Sequence, residues 1–363
     1  MPRPREAVLR VIVCVVFVIT LLLSAGLTQT SGNDIHVVPR QMSPTVANAV
    51  ASAKVVDGSI LHVVKTDVKL VLVPVSVTDP KQRLGTGLRA ENFELLEGKK
   101  PQEIRHFSSE DVPVSVGILL DTSGSMGNKM NRVREAVNQF CEAANPQDEF
   151  FMIVFSDQPR LVTDFTSFPE DLEKELLLTQ PKGRTALLDA IYMGLHKMKE
   201  AKYAKNALLI ISDGGDNHSL SLEKNVKAAA KESDVMIYAI GTFDRYVPTP
   251  EESRGPALLA EIAEPTGGRA FTLENEVELP AVALHIGREL RTQYVLGYRP
   301  EDMPKDGKWH KIEVKLRLPK KLSFLRAHAK TGYYAPAEGK QAELTQDPRT
   351  SGSLVFAVGL FNQ

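Results

Sequence analysis

Asp121, Ser123 and Ser125 place an acid and two hydroxyls at alternate positions of one short stretch, Asp121-Thr122-Ser123-Gly124-Ser125. An apolar run at 114–120 precedes it and reads as a buried parallel strand, and a helical pattern begins just after it. A tight turn at the end of that strand would point all three side chains at one spot. Carboxylate and hydroxyl oxygens are hard ligands, the kind Mg²⁺ takes. The same residues also suit a helix start, where Ser or Asp caps free N–H groups. The pentad alone leaves both readings open.

Two further segments bear on the choice. Thr185-Ala186-Leu187-Leu188-Asp189-Ala190 opens a helical pattern, and a second apolar run at 207–211 ends in Ser212-Asp213-Gly214-Gly215-Asp216. In this order, each at a strand end or helix start, the three segments resemble the metal-ion-dependent adhesion site of von Willebrand factor type A domains. The resemblance implies that Ser123 and Ser125 bind Mg²⁺ (or Mn²⁺) directly and Asp121 directly or through water. It implies that Thr185 contacts the metal or its water, and that Asp213 acts through water or from just outside the ligand set. Many family members carry Gly-Gly before the threonine, whereas this chain has Gly183-Arg184. Arg184 would either repel the metal or pair with an acidic ligand group. Asp189 and Asp216 are candidates for the rim or support of the site, each with a plainer alternative, an exposed helix acid and a solvated turn.

The flanks extend the likeness. The run from Leu70 through Phe107 into Asp121, Tyr294-Val295-Leu296-Gly297-Tyr298, and Thr331-Gly332-Tyr333-Tyr334 resemble bacterial exported VWFA-related domain proteins, over roughly residues 63–336. The implied function is an exported, non-enzymatic binding or adhesion module. Its metal keeps a coordination place open, and a partner protein's Asp or Glu fills it. The alternatives are a metal-dependent hydrolase at the same site and an assembly subunit of a larger envelope complex. Against hydrolysis, Ser123 lacks a G-x-S-x-G frame. With no H-E-x-x-H and no C-x-x-C in the chain, a zinc site has little support.

The elements that must position these residues follow from periodicity. Residues 110–291 alternate strand and helix, which predicts an α/β domain with a doubly wound, mostly parallel sheet, Rossmann-like in layout. Strands are expected at 114–120, 150–155, 160–164, 207–211, 235–240 and 269–272. Helices are expected at 129–144, 169–178, 186–199, 221–231, 257–263 and 276–291. Short β patterns precede and follow this unit, at 63–109 and 292–336. Each is too small for a stable sandwich alone. The two are therefore expected to pair into one small β-sandwich, with the α/β domain inserted between them.

The whole chain sets the remaining bounds. It has 363 residues, 43% hydrophobic, and a net charge of −1, which gives no reason to expect nucleic acid as a partner. Arg3, Arg5 and Arg10 precede an uncharged run at 11–23 and small residues at 24–26, which reads as a signal peptide at 1–26. An uncleaved signal-anchor is the alternative and the one expected membrane contact. Residues 27–62 read as a spacer and 337–363 as a polar tail. The expected location is exported: periplasm, envelope or medium. Of the two cysteines, Cys14 lies in the signal and Cys141 on an apolar helix face, so no internal disulfide is expected after cleavage. The basic stretch from Lys308 to Lys330 is expected to be a solvated strand face, with binding to anionic lipid or polysaccharide as the alternative.

Overall fold

The computed structural model describes residues 70–213, 215–243, 250–300 and 306–335. The expected signal peptide, spacer and tail lie outside these residues.

The chain first lays down β1 (Val71–Thr78), β2 (Phe93–Glu97), β3 (Lys100–Gln102) and β4 (Ile104–Ser108). An alternating stretch follows: β5 (Ser115–Asp121), α1 (Met130–Glu142), β6 (Glu149–Phe155), β7 (Pro159–Thr166), α2 (Pro169–Leu178), α3 (Leu187–Lys197) and β8 (Asn206–Ser212). It continues through α4 (Glu223–Glu232), β9 (Val235–Thr242), α5 (Pro250–Ala263), β10 (Ala270–Leu273) and α6 (Leu279–Arg291). Then come β11 (Tyr294–Tyr298), β12 (Trp309–Leu316), β13 (Arg326–Ala329) and β14 (Gly332–Tyr334).

Six strands form the central sheet in the order β10-β9-β8-β5-β6-β7, with only β7 antiparallel to its neighbour. Every residue of β5 is buried, as a strand covered on both faces requires. One face packs Val116, Ile118 and Leu120 against α1, α2 and α6. The other packs Leu119, Phe151 and Leu208 against α3, α4 and α5. Gly117 lets this second layer close: a Cβ there would lie 2.2 Å from Phe151 and 2.5 Å from Leu208. Cys141 packs against the first core, and burial followed by the charges of Asp148 and Glu170 pushes its thiol up to about 12. That thiol is no nucleophile at neutral pH.

The two flanking β segments interleave. One four-stranded sheet runs β13-β1-β11-β4 and the other β14-β12-β2-β3, so each mixes strands from both sides of the α/β unit. Between them Val73, Val75, Phe93, Leu95, Tyr294, Leu296 and Ile312 form a shared core, with the Phe93 and Tyr294 rings 5.1 Å apart. The α/β unit enters after β4 and leaves into β11, and these strands pair antiparallel, Leu296 opposite Phe107. An insertion whose ends are hydrogen-bonded neighbours need not distort its host.

A turn at Gly98-Lys99, both at positive φ (53° and 77°), separates β3 from β2; this hairpin shape matches strand twist. Two helices differ from the periodicity reading. Helix α5 starts earlier than expected and runs through Pro256, because Leu258, Leu259, Ile262 and Ala263 bury against the second core. Helix α6 starts three residues late. Glu276–Glu278 form a tighter 3₁₀ turn ahead of it, and Pro280 sits in the helix's first turn, where a missing N–H costs little.

Buried polar contacts join the α/β unit to the sandwich. Gln293 Nε2 donates to Ser76 Oγ of β1 and to Tyr238 Oη of β9, each at 3.1 Å. Tyr238 Oη donates to Glu289 Oε1 at 3.0 Å, and Arg269 Nη1 reaches Glu289 Oε2 at 2.8 Å. Thr266 bridges to Lys330, whose ammonium lies 2.8 Å from Asp234 Oδ1.

Candidate metal-binding face

β5 lies between β8 and β6, and the chain crosses from one side of it to the other between β7 and β8. The carboxyl end of β5 is therefore a point where strand order reverses, the place where open α/β sheets bind ligands. Asp121 is the last residue of β5, and Asp213 directly follows β8.

Asp121 is fully buried. Its Oδ1 accepts from Ser123 N at 2.8 Å and its Oδ2 from Ser212 Oγ at 2.6 Å. Burial, and then the charge of Asp213, push its carboxyl up to about 6 despite these bonds. Ser123 Oγ and Ser125 Oγ lie 3.1 Å apart, one residue buried and one exposed, and the Ser123 hydroxyl also reaches the Asp121 carboxyl. Asp213 is buried, and its Oδ2 accepts no hydrogen bond from the described residues.

The second loop is tied to the first. Gly124 N donates to Gly183 O at 3.1 Å and Lys182 N to Thr122 O at 2.8 Å. Gly183 has φ +83°, and a Cβ there would lie 2.5 Å from Asp157 Oδ2, so the loop needs glycine at this position. Thr185, two residues on, is buried. Its N–H donates to Asn217 Oδ1 at 2.9 Å, and its carbonyl accepts from Asn217 N and His218 N at 3.1 Å. The first and third loops thus hold the second from either side.

Arg184 pairs with an acid outside the expected ligand set. Its N–H and Nε donate to Asp157 Oδ1 at 3.1 and 3.2 Å, and its Nη2 lies 2.8 Å from His218 Nε2. Asp157 belongs to the turn after β6 and is not among the proposed ligands. Arg184 holds that carboxyl below its ordinary value. Asp189 and Asp216 also bond to the protein backbone. Asp189 accepts from Leu220 N and Ser221 N at 2.9 and 2.8 Å. Asp216 Oδ1 accepts from Leu188 N at 3.3 Å, at the start of α3, and burial raises its pKa. Both buttress the loops around Thr185.

Comparison with known proteins matches residues 116–215 to the von Willebrand factor type A domain family. The α/β unit is a von Willebrand factor type A domain. Over 139 residues it is 27% identical to inter-alpha-trypsin inhibitor heavy chain H4 of Bos taurus, a match covering 34% of this chain and 15% of that protein. Among solved structures, a von Willebrand factor type A protein from Catenulispora acidiphila shares 13% identity at a TM-score of 0.46, covering 75% of this chain and 64% of the other. The von Willebrand factor domain of a type V pili tip protein from Porphyromonas gingivalis shares 14% at 0.40, covering 49% and 95%. Type A domains commonly mediate protein–protein adhesion. Among the described residues no helix is long and apolar enough to cross a membrane.

The donor set of this type A domain fits a hard divalent cation. It offers two carboxylates and serine and threonine hydroxyls, all oxygen, at the ends of β5 and β8 and on the loop before α3. A buried carboxylate oxygen without a hydrogen bond from the described residues, Asp213 Oδ2, is the kind of atom a cation would satisfy. Among the described residues, no three or more His, Cys, Asp or Glu side chains group as a metal site. The sequence reading missed Ser212, Asp157 and Lys129 in this corner. Only Ser212 carried a signal, as a hydroxyl closing an apolar strand beside Asp213.

Proposed function

We propose that the chain is an exported protein-binding module. In this reading Asp121, Ser123, Ser125, Thr185 and Asp213 hold Mg²⁺ or Mn²⁺, and a partner's Asp or Glu completes the site. The observation that carries it is the pairing at the sheet's switch point of a buried, hydroxyl-bonded Asp121 with Asp213, whose Oδ2 accepts no hydrogen bond from the described residues. The cation, when bound, supplies an electrophilic centre for a carboxylate. The chain's own residues do the rest. Ser212 and the Ser123 N–H fix the Asp121 carboxylate, and Asn217 and Gly124 fix the Thr185 loop. The sandwich holds the domain through Gln293, bonded to Ser76 and Tyr238, and through Gln82, which accepts from Arg269. The reading is one of binding rather than catalysis, because Asp189 and Asp216 beside the site are engaged with backbone donors. Export is supported by the basic and apolar N-terminal pattern.

The test is thermal unfolding of the protein with Mg²⁺, Mn²⁺ or chelator, beside Asp121→Ala, followed by capture of Asp- or Glu-bearing partners under the same conditions. A cation at a hundred times its Kd, binding only the native state, adds about 2.7 kcal/mol. The expected result is metal stabilisation in the native chain, absent in the variant, with chelator abolishing capture. Capture indifferent to chelator would overturn the proposal.

A further inference from the structure

Lys129 ends the loop that carries Asp121, Ser123 and Ser125, one residue before α1. Its side chain turns inward, only 16% exposed. The ammonium donates to Thr242 O, at the end of β9, at 3.2 Å, and lies 3.6 Å from Asp213 Oδ2. Ser212 and Gly241 are partners in the parallel pairing of β8 and β9, so Asp213 and Thr242 are neighbours just beyond it. Both contribute buried oxygens with no hydrogen-bond partner among the described residues, Asp213 Oδ2 and Thr242 Oγ1. A lysine has four methylenes with which to reach water. Here it spends them reaching a corner of buried oxygens. Arg184, a second cation near these loops, is engaged with Asp157 and His218.

We infer that Lys129 is a built-in cation that neutralises Asp213 in the metal-free protein, and that it competes with the divalent ion for that carboxylate. The inference rests on the metal-site reading above and names the residue that sets the site's affinity. It follows from charge. Asp121 and Asp213 are two buried anions, and an uncompensated buried charge is costly. Lys129 meets part of that cost without metal, so the fold does not depend on the ion. When a dication enters, the ammonium stands close to it, and the repulsion lowers affinity.

The same ammonium has a second consequence. Two carboxylates, one ammonium and a dication leave one net positive charge, which one carboxylate from a partner would cancel. Without Lys129 the loaded site is neutral and draws an acid less strongly. Lys129 thus trades metal affinity for attraction to an acidic ligand.

The experiment compares the full chain with Lys129→Met and Lys129→Arg, reading Mn²⁺ affinity by titration calorimetry and the unfolding midpoint in chelator. Lys129→Met is expected to bind Mn²⁺ about tenfold or more tightly, by loss of a like charge at close range in a partly buried site. In chelator its midpoint should fall below the native one, and millimolar Mn²⁺ should restore it. Lys129→Arg, which keeps the charge, should stay near the native chain in both readings. If Lys129→Met is not folded even with Mn²⁺, Lys129→Gln takes its place under the same criteria. Equal or weaker Mn²⁺ binding by the neutral variant, with the native chain binding normally, overturns the inference and leaves the metal site standing. No Mn²⁺ binding by either protein overturns both.

Discussion

Ser212 Oγ donates to Asp121 Oδ2 at 2.6 Å, joining the last residue of β8 to the last residue of β5 inside the sheet. The two strands run parallel side by side, so the bond locks the register of the two loops that leave them. It also leaves the outer edge of the first loop to the Ser123 and Ser125 hydroxyls.

Ser212→Ala removes one of the donors to a fully buried carboxylate. Hydrogen bonds to charged groups contribute about 1.5–3 kcal/mol, and the stranded acceptor adds its desolvation penalty. Urea unfolding in chelator should show a loss of about 2 kcal/mol. A change of a few tenths would mean that Asp121 is held by other means.

The Arg269–Glu289–Tyr238 contact makes stability depend on acid. Burial works to raise the Glu289 carboxyl, but its bonds to His285, Arg269, Tyr238 and Ser76 outweigh it and hold the group below its ordinary 4.5. A lowered folded pKa gives stability that is present above the unfolded value and lost as pH falls through the folded one. The native protein should therefore lose stability below about pH 4.5, more steeply than Glu289→Gln, whose curve lacks this contribution. At neutral pH the same substitution leaves Arg269 without its counter-charge in a buried site and should cost about 3–5 kcal/mol. Parallel pH curves for the two proteins in urea unfolding would refute the assignment.

Much of this fold is legible in the sequence because its signals are local. The apolar run of β5 and the amphipathic faces of α1 and α3 follow from period alone. So does the need of each short β segment for the other, since each had more apolar face than it could cover. Asp121, Ser123 and Ser125 stand together in the chain and together in space. Ser212 and Lys129 were not legible as site residues, because their importance arises from pairing between strands and loops distant in sequence. The partner of Arg184 was not legible for a related reason: Asp157 lies 27 residues earlier, on a turn with no signal of its own. Helix α5 shows packing overriding propensity, since Leu258 and Leu259 hold a helix that Pro256 alone would argue against.

Arg184→Gly tests whether this cation opposes the metal. The guanidinium is spent on Asp157 and His218 at the exposed edge, so removing it should shift the unfolding midpoint little. If it does not oppose the cation, Mn²⁺ affinity should stay within about twofold of the native value. A large gain in affinity would show that Arg184 repels the metal after all.

Fragments test the insertion. Residues 110–291 contain both hydrophobic cores of the type A domain and its whole six-stranded sheet, with no strand borrowed from the flanks. They should unfold cooperatively when expressed alone. Residues 60–109 hold β1, β2, β3 and β4, but the strands that complete their sheets, β11 and β13 on one side and β12 and β14 on the other, lie beyond Arg291. Alone they would leave Val73, Val75, Phe93 and Leu95 uncovered, and full burial of such a side chain contributes about 1.5–3 kcal/mol. This fragment should lack cooperative unfolding, as judged by circular dichroism and hydrogen exchange. Adding residues 292–336 in trans should restore structure, because β1 has partners on both edges in that segment. A well-folded 60–109 fragment would mean that the two flanks are separate domains.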